Sequence, residues 1–201
     1  MALTYHNNNS ISNVTSFAQV PSGSPVLLST ATASGSSSIS FTSGIDSTYD
    51  IYKFEFINIH PATDNVYFQF NLSTDSGSNY NVTKTTTFFR TFHEESDVGS
   101  SLAYTSTLDL AQSTSDQYLA YEIGNANDEC ASGYLTLFNP SSNTFVKHFI
   151  ANFNMYATSN ASQESFIAGY GNTTSAINAI RFQMSSGNID AGTIKMYGIK
   201  A

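Results

Sequence analysis

The 201-residue sequence has one cysteine, no tryptophan, four prolines and very little charge. With Cys130 alone, no intrachain disulfide can form, so stability must come from packing or assembly, and the thiol reads as a buried or tolerated side chain. Charged residues make up 11% of the chain, against roughly 25% in ordinary soluble domains, which leaves Ser, Thr and Asn to make the surface. Seven basic residues against 15 acidic give a formal charge of -8. Lys and Arg are not clustered, so the electrostatic footprint of a phosphate-backbone binder is missing and nucleic acid is not expected as a partner. No stretch approaches the ~18 consecutive apolar residues of a spanning helix, so membrane insertion is not expected either. Met1 to Asn13 lacks the basic start and apolar run of a secretion signal, and the chain is expected to be made and kept in soluble form.

What is plentiful is aromatic and β-branched residues in short alternating runs. Tyr49 to Ile59 and Val66 to Leu72 flank a Pro/Asp/Asn connection and predict two antiparallel strands joined by a short loop. In the second run Val66, Phe68, Phe70 and Leu72 share one parity while Tyr67, Gln69 and Asn71 take the other, placing one face on a core and one towards water. In the first run Tyr52, Phe54 and Phe56 alternate with Ile51, Lys53, Glu55 and Ile57, and its ends are apolar on both faces. It predicts a central strand of a packed sheet.

The same reading extends along the chain. Val26 to Ser29, Ile39 to Phe41, Tyr80 to Phe92, Leu102 to Leu110 and Gln117 to Ile123 are strand-like, as are Phe166 to Tyr170, Ile177 to Met184 and Thr193 to Ile199. Turn-forming runs separate them, Ala33 to Ser38 and Ser73 to Asn79 among them. Gly133 to Phe138 and Thr144 to Tyr156 predict a second hairpin. The total is about eight to ten strands, with no helical period beyond one turn near Leu108 to Gln112. The fold class expected is all-β, an antiparallel β-sandwich that is jelly-roll-like, with an open-ended barrel as the alternative. Residues 1–25, poor in large apolar side chains, are expected to form an extended N-terminal arm that contacts a neighbouring subunit, ahead of a single domain over residues 26–201.

No catalytic motif is written in the chain. His93, Glu94 and Glu95 lack the His-Glu-x-x-His spacing of a zinc site. A glycosidase would need two carboxylates across a cleft, for which Glu94, Asp97, Glu122, Asp128 and Glu164 are the available candidates. Calcium could meet oxygen ligands at Asp64 with Asn65, at Asp75 to Asn79 or at Asn125 to Glu129, though none follows an EF-hand order. A glycan would use tyrosine platforms, available at Tyr67, Tyr80, Tyr104, Tyr118, Tyr134 and Tyr170. The residues singled out for receptor contact are Tyr80, Asp128 and Tyr134. No catalytic residue, no metal and no cofactor is expected.

Three blocks carry a resemblance: FTSGIDSTYDIYKFEFINIHPATDN from Phe41 to Asn65, FNLSTDSGSNY from Phe70 to Tyr80, and SSGNIDAGTIKMYGI from Ser185 to Ile199. In this order they resemble virion structural proteins of tailed bacteriophages, closest to those of marine phages infecting cyanobacteria. The resemblance implies a non-enzymatic β-sandwich on the virion surface, as a tail-fibre or tail component or a capsid decoration, assembled in the host cytoplasm and serving assembly and host attachment. The implied partners are other copies of the chain, with a trimer as the analogy, other virion proteins and a host surface glycan. A carbohydrate-binding receptor module, or a glycan depolymerase, is the alternative reading.

Overall fold

The structure, a computed structural model, describes residues 23–200; all but the last three residues of the expected arm lie outside that range. Among the described residues there are twelve strands and no helix. They are β1 (Val26–Ser36), β2 (Ile39–Phe41), β3 (Ile51–Pro61), β4 (Val66–Ser73), β5 (Lys84–Glu94) and β6 (Ser100–Tyr104), then β7 (Gln117–Ile123), β8 (Ala131–Phe138), β9 (Lys147–Ala157), β10 (Ala161–Gly171), β11 (Ala179–Met184) and β12 (Ile189–Ile199). Every pairing is antiparallel.

Four pairings are nested: β1 with β12, β2 with β11, β3 with β8, and β4 with β7. The contacts β12–β3 and β11–β4 join them into two sheets. This is the winding of a jelly roll, a long ribbon of strand pairs rolled so that successive pairs fall in opposite sheets. Two inserted hairpins lengthen one sheet. β9–β10 and β5–β6 add beyond β8, giving β1-β12-β3-β8-β9-β10-β5-β6 opposite β7-β4-β11-β2. The sheets meet at one corner, through the single pair Ile123 and Ala157.

The expected strand and loop from Tyr49 to Leu72 are present, but the two strands do not pair. β3 lies between β12 and β8, whereas β4 lies between β11 and β7. The chain crosses from one sheet to the other at residues 62–65, and Phe56 meets Phe68 across the core at 5.5 Å. Both strands are apolar enough to form facing walls of one core, which the local pattern cannot distinguish from a hairpin. The second expected hairpin does form, as β8–β9. β1 runs to Ser36, through part of the expected turn, because Ser and Thr suit the half-exposed edge it occupies beside β12. After Tyr104 the chain leaves the sheet through one hydrogen-bonded turn, from Leu108 N to Thr105 O, which ends where the helical turn expected near Leu108 to Gln112 would begin; residues 109–112 form no helical turn.

A bulge explains why β3 is apolar on both faces at its end. Tyr52, Phe54 and Phe56 point inward, Asn58 adopts φ 50°, and the register with β8 shifts between Phe56 and Ile59. The extra residue reverses the parity, so Ile59 is buried and Ile57 is exposed. Gly192 of β12 faces the bulge at φ +124°, and a Cβ there would stand 2.7 Å from Asn58 O.

The core is a seam of phenylalanines between the sheets. Phe182 of β11 has Phe41, Phe54, Phe56, Phe68 and Phe70 around it at 4.9–6.4 Å between ring centroids. Phe70 and Phe153 extend the seam to β9 through Phe149, Phe56 and Phe68. Replacing Phe182 by Ala should cost about 3–5 kcal/mol by transfer and cavity terms, read as a lower denaturant midpoint at unchanged slope.

Candidate functional site

The three residues singled out from sequence are not brought together. Tyr80, in the β4–β5 loop, is half-buried and lies over the Arg181 guanidinium at 4.8 Å. Arg181 alternates with the inward-facing Phe182, so this is the outer side of the smaller sheet. Tyr134 alternates with the buried Leu135 on β8 and stands on the outer side of the larger sheet, with Lys53 Nζ 5.5 Å from its ring. Asp128 is exposed in the β7–β8 loop, at the rim of a cleft of about 430 Å³ shared with Asn58, His60, Cys130 and Asp190. There His60 Nδ1 lies 3.5 Å from Asp190 Oδ2, and its Nε2 meets Ala126 O at 3.1 Å. Burial, with Asp128 adding to it, pushes the Cys130 thiol up, which disfavours the reactive thiolate.

The other sequence candidates are dispersed as well. Glu94 and Asp97 line a separate cleft with His93, whose Nε2 is 3.0 Å from Asp97 Oδ1. Glu164 accepts from Asn152 on the outer side of β10. Asp75 is engaged by its own loop: it accepts from Ser73 Oγ at 2.6 Å and from Asn79 N and Nδ2 at 2.9 and 2.7 Å. Among the described residues no group of three His, Cys, Asp or Glu side chains is placed to hold a metal ion. Of the tyrosines, Tyr67 and Tyr118 do come together. Tyr67 lies 4.7 Å from Tyr118 and 5.2 Å from Tyr121, and the Arg90 guanidinium sits 4.3 Å above Tyr121. Burial, together with Glu122, pushes the Tyr121 hydroxyl up to about 12.

Two features were not assembled by sequence reasoning. The first is an aromatic row on the outer side of the larger sheet. Tyr104, Phe89, Phe166, Asn152 and Tyr134 are in register across β6, β5, β10, β9 and β8. Phe89 and Phe166 stack at 4.8 Å with 9° between planes. Beside them Ile150 is 49% exposed and Leu102 71%, and a groove of about 460 Å³ runs past Ile150, Ala168, His148 and Tyr170. Phe89 broke the alternation in the sequence, and that break was the available signal.

The second is a polar cluster on the outer side of the smaller sheet. Gln69 and Asn71 belong to the face expected to meet water, yet both are buried. The segment before β7 lies over them and supplies Asp116. Asp116 Oδ1 accepts from Asn71 Nδ2 at 2.7 Å, and its Oδ2 accepts from Gln69 at 3.1 Å and Gln183 at 2.8 Å. Arg181 approaches both oxygens at 3.4–3.5 Å. Lys84, fully buried at the first position of β5, donates to Asn71 Oδ1 at 2.5 Å and to Val82 O at 2.9 Å. The Asn71 amide is fixed by groups that have only one role. Thr114 O can only accept, at 3.0 Å from Nδ2, and Leu72 N–H can only donate, at 2.9 Å from Oδ1. Burial pulls the Lys84 ammonium down to about 8, against the opposing pull of Asp116.

The Asp75 loop yields a pH prediction. Hydrogen bonds from Ser73 and Asn79 hold the Asp75 carboxyl at about 2, below its ordinary 3.8. A depressed folded value means stability that is complete above pH 3.8 and lost as pH falls through about 2. Asp75→Asn should remove that part of the acid dependence, read by thermal melts between these pH values. No family model matches the chain, and no curated protein or solved structure shows significant similarity to it.

Proposed function

We propose that this protein is a structural subunit of a bacteriophage particle, displayed on the virion surface as a tail-fibre or tail component or a capsid decoration, and that it assembles with copies of itself. The observation that carries the self-assembly part is the aromatic row of the larger sheet. Four aromatic side chains in register across a five-strand surface, interrupted only by Asn152 and flanked by Ile150 and Leu102, are what a subunit contact uses, whereas singly scattered apolar residues are not. A low-charge surface suits the same role, since contacts made by apolar area and hydrogen bonds persist in salt that screens charges. The virion assignment itself rests on the three sequence blocks, whose residues serve the fold. Phe41, Tyr52, Phe54 and Phe56 line the core, and Ser73 to Asn79 closes the Asp75 loop.

Host attachment has a separate surface in this reading. The Tyr67, Tyr118 and Tyr121 rings with Arg90, together with the Asp128 cleft, combine apolar faces and hydrogen-bonding groups as a surface glycan requires.

Phe89→Ser combined with Ile150→Glu should convert the oligomer to a monomer in sedimentation while leaving the far-ultraviolet circular dichroism unchanged. A wild-type protein that sediments as a monomer would remove self-assembly through this face. Cryo-electron microscopy of the particle decides the virion reading, which falls if no density fits the sandwich on head or tail.

A further inference from the structure

The cluster around Asn71 contains the parts of an amide-forming reaction. A buried primary amine contacts a buried carboxamide, a backbone N–H points at the amide oxygen, and a carboxylate holds the amide nitrogen. We propose that Lys84 and Asn71 join in an intramolecular isopeptide bond, formed by the folded chain itself with Asp116 as the proton carrier.

The geometry sets each role. Lys84 Nζ is 2.5 Å from Asn71 Oδ1, and with a C=O bond of ~1.23 Å the carboxamide carbon it would attack is within about 3.8 Å. Leu72 N–H, 2.9 Å from the same oxygen, supports the negative charge that develops there in the tetrahedral intermediate. Asp116 Oδ1, 2.7 Å from Nδ2, is placed to take the proton shed by the attacking nitrogen and to deliver it to the leaving one. Arg181 Nη2 lies 3.4 Å from Asp116 Oδ1 and helps to hold the carboxylate in place beside the amide. The nucleophile must be the free amine. Burial makes that accessible, because a lysine titrating near 8 is deprotonated in roughly a tenth of molecules at pH 7.

The step balances without a further reactant. The bond between Asn71 Cγ and Nδ2 breaks and one between Cγ and Lys84 Nζ forms; a primary amine and a primary amide become a secondary amide and ammonia. No oxidant, reductant or cofactor enters. The position gives the bond a purpose: Asn71 belongs to β4 in the smaller sheet and Lys84 opens β5 in the larger one, so the link ties the two walls of the sandwich. In a chain with a single cysteine, this staple would be indifferent to redox conditions. The inference is independent of where the protein acts.

The test is the intact mass of the full-length, folded protein. The expected result is a mass lower than that of the sequence by one ammonia. Digestion should then release a branched peptide joining the Asn71 and Lys84 segments, with no tryptic cut after Lys84. Asp116→Asn, which keeps both reacting side chains, should carry the full mass, as should Lys84→Met, and both should melt at lower temperature than the wild type. Full sequence mass in the folded wild type overturns the proposal. So does an ammonia loss without a branched peptide that persists in Lys84→Met, since that marks a succinimide at Asn71.

Discussion

Phe182 packing between the sheets is the contact on which the rest of the architecture depends. Five phenylalanines from β2, β3 and β4 surround it, and they come from both walls of the sandwich. Edge-to-face, tilted and, for Phe68, stacked packing at these distances combines large apolar burial with directional preference. The seam therefore fixes how the two sheets sit against each other as well as holding them together. The nested ladders set which strands share a sheet, and the single Ile123–Ala157 pair closes only one corner. Around the seam, aliphatic side chains of both walls, Leu72, Leu119 and Ile180 on one side and Leu135, Leu137 and Ile194 on the other, complete the same core.

The two inserted hairpins change what the jelly roll presents. β5–β6 and β9–β10 lengthen one wall well past the width of the other. This creates the broad outer surface on which the Phe89–Phe166 stack and Ile150 are displayed. Arg90 and Tyr121 pack where β7, at the edge of the smaller sheet, meets the inner side of the extension. A sandwich of equal walls would have no comparable apolar platform. The outer side of the smaller wall is different in kind. The segment leading into β7 covers it, and its polar side chains are gathered around Asp116 instead of meeting water.

Burial of Lys84 beside Asn71 and Asp116 illustrates a general point about charges in low-dielectric surroundings. An ammonium there is stable only if acceptors surround it, and Asn71 and Val82 meet two of its three donors. Lys147 is buried in a similar way, donating to Phe145 O and Thr173 O, and burial lowers its titration too. Both pair in register with Gly171 of β10, from opposite sides. What separates them is the partner. Lys147 meets only backbone carbonyls, whereas Lys84 meets a side-chain amide with a carboxylate behind it.

The sequence by itself determined that the chain is all-β, that Phe54, Phe56, Phe68, Phe70 and Phe182 belong to a core, and that Gly133 to Tyr156 contains a hairpin. Each of these follows from a two-residue period, which local residues set alone. The tertiary structure decided that β3 and β4 face each other across the core, because strand partners depend on distant segments such as β11 and β12. It also decided that Gln69 and Asn71 are covered, since alternation reports which residues share a face and not what lies over it. The polar cluster draws on β4, β5, β11 and the segment before β7, and the aromatic row on five strands. No spacing within one strand encodes such sites; they exist because antiparallel registers place residues far apart in sequence side by side.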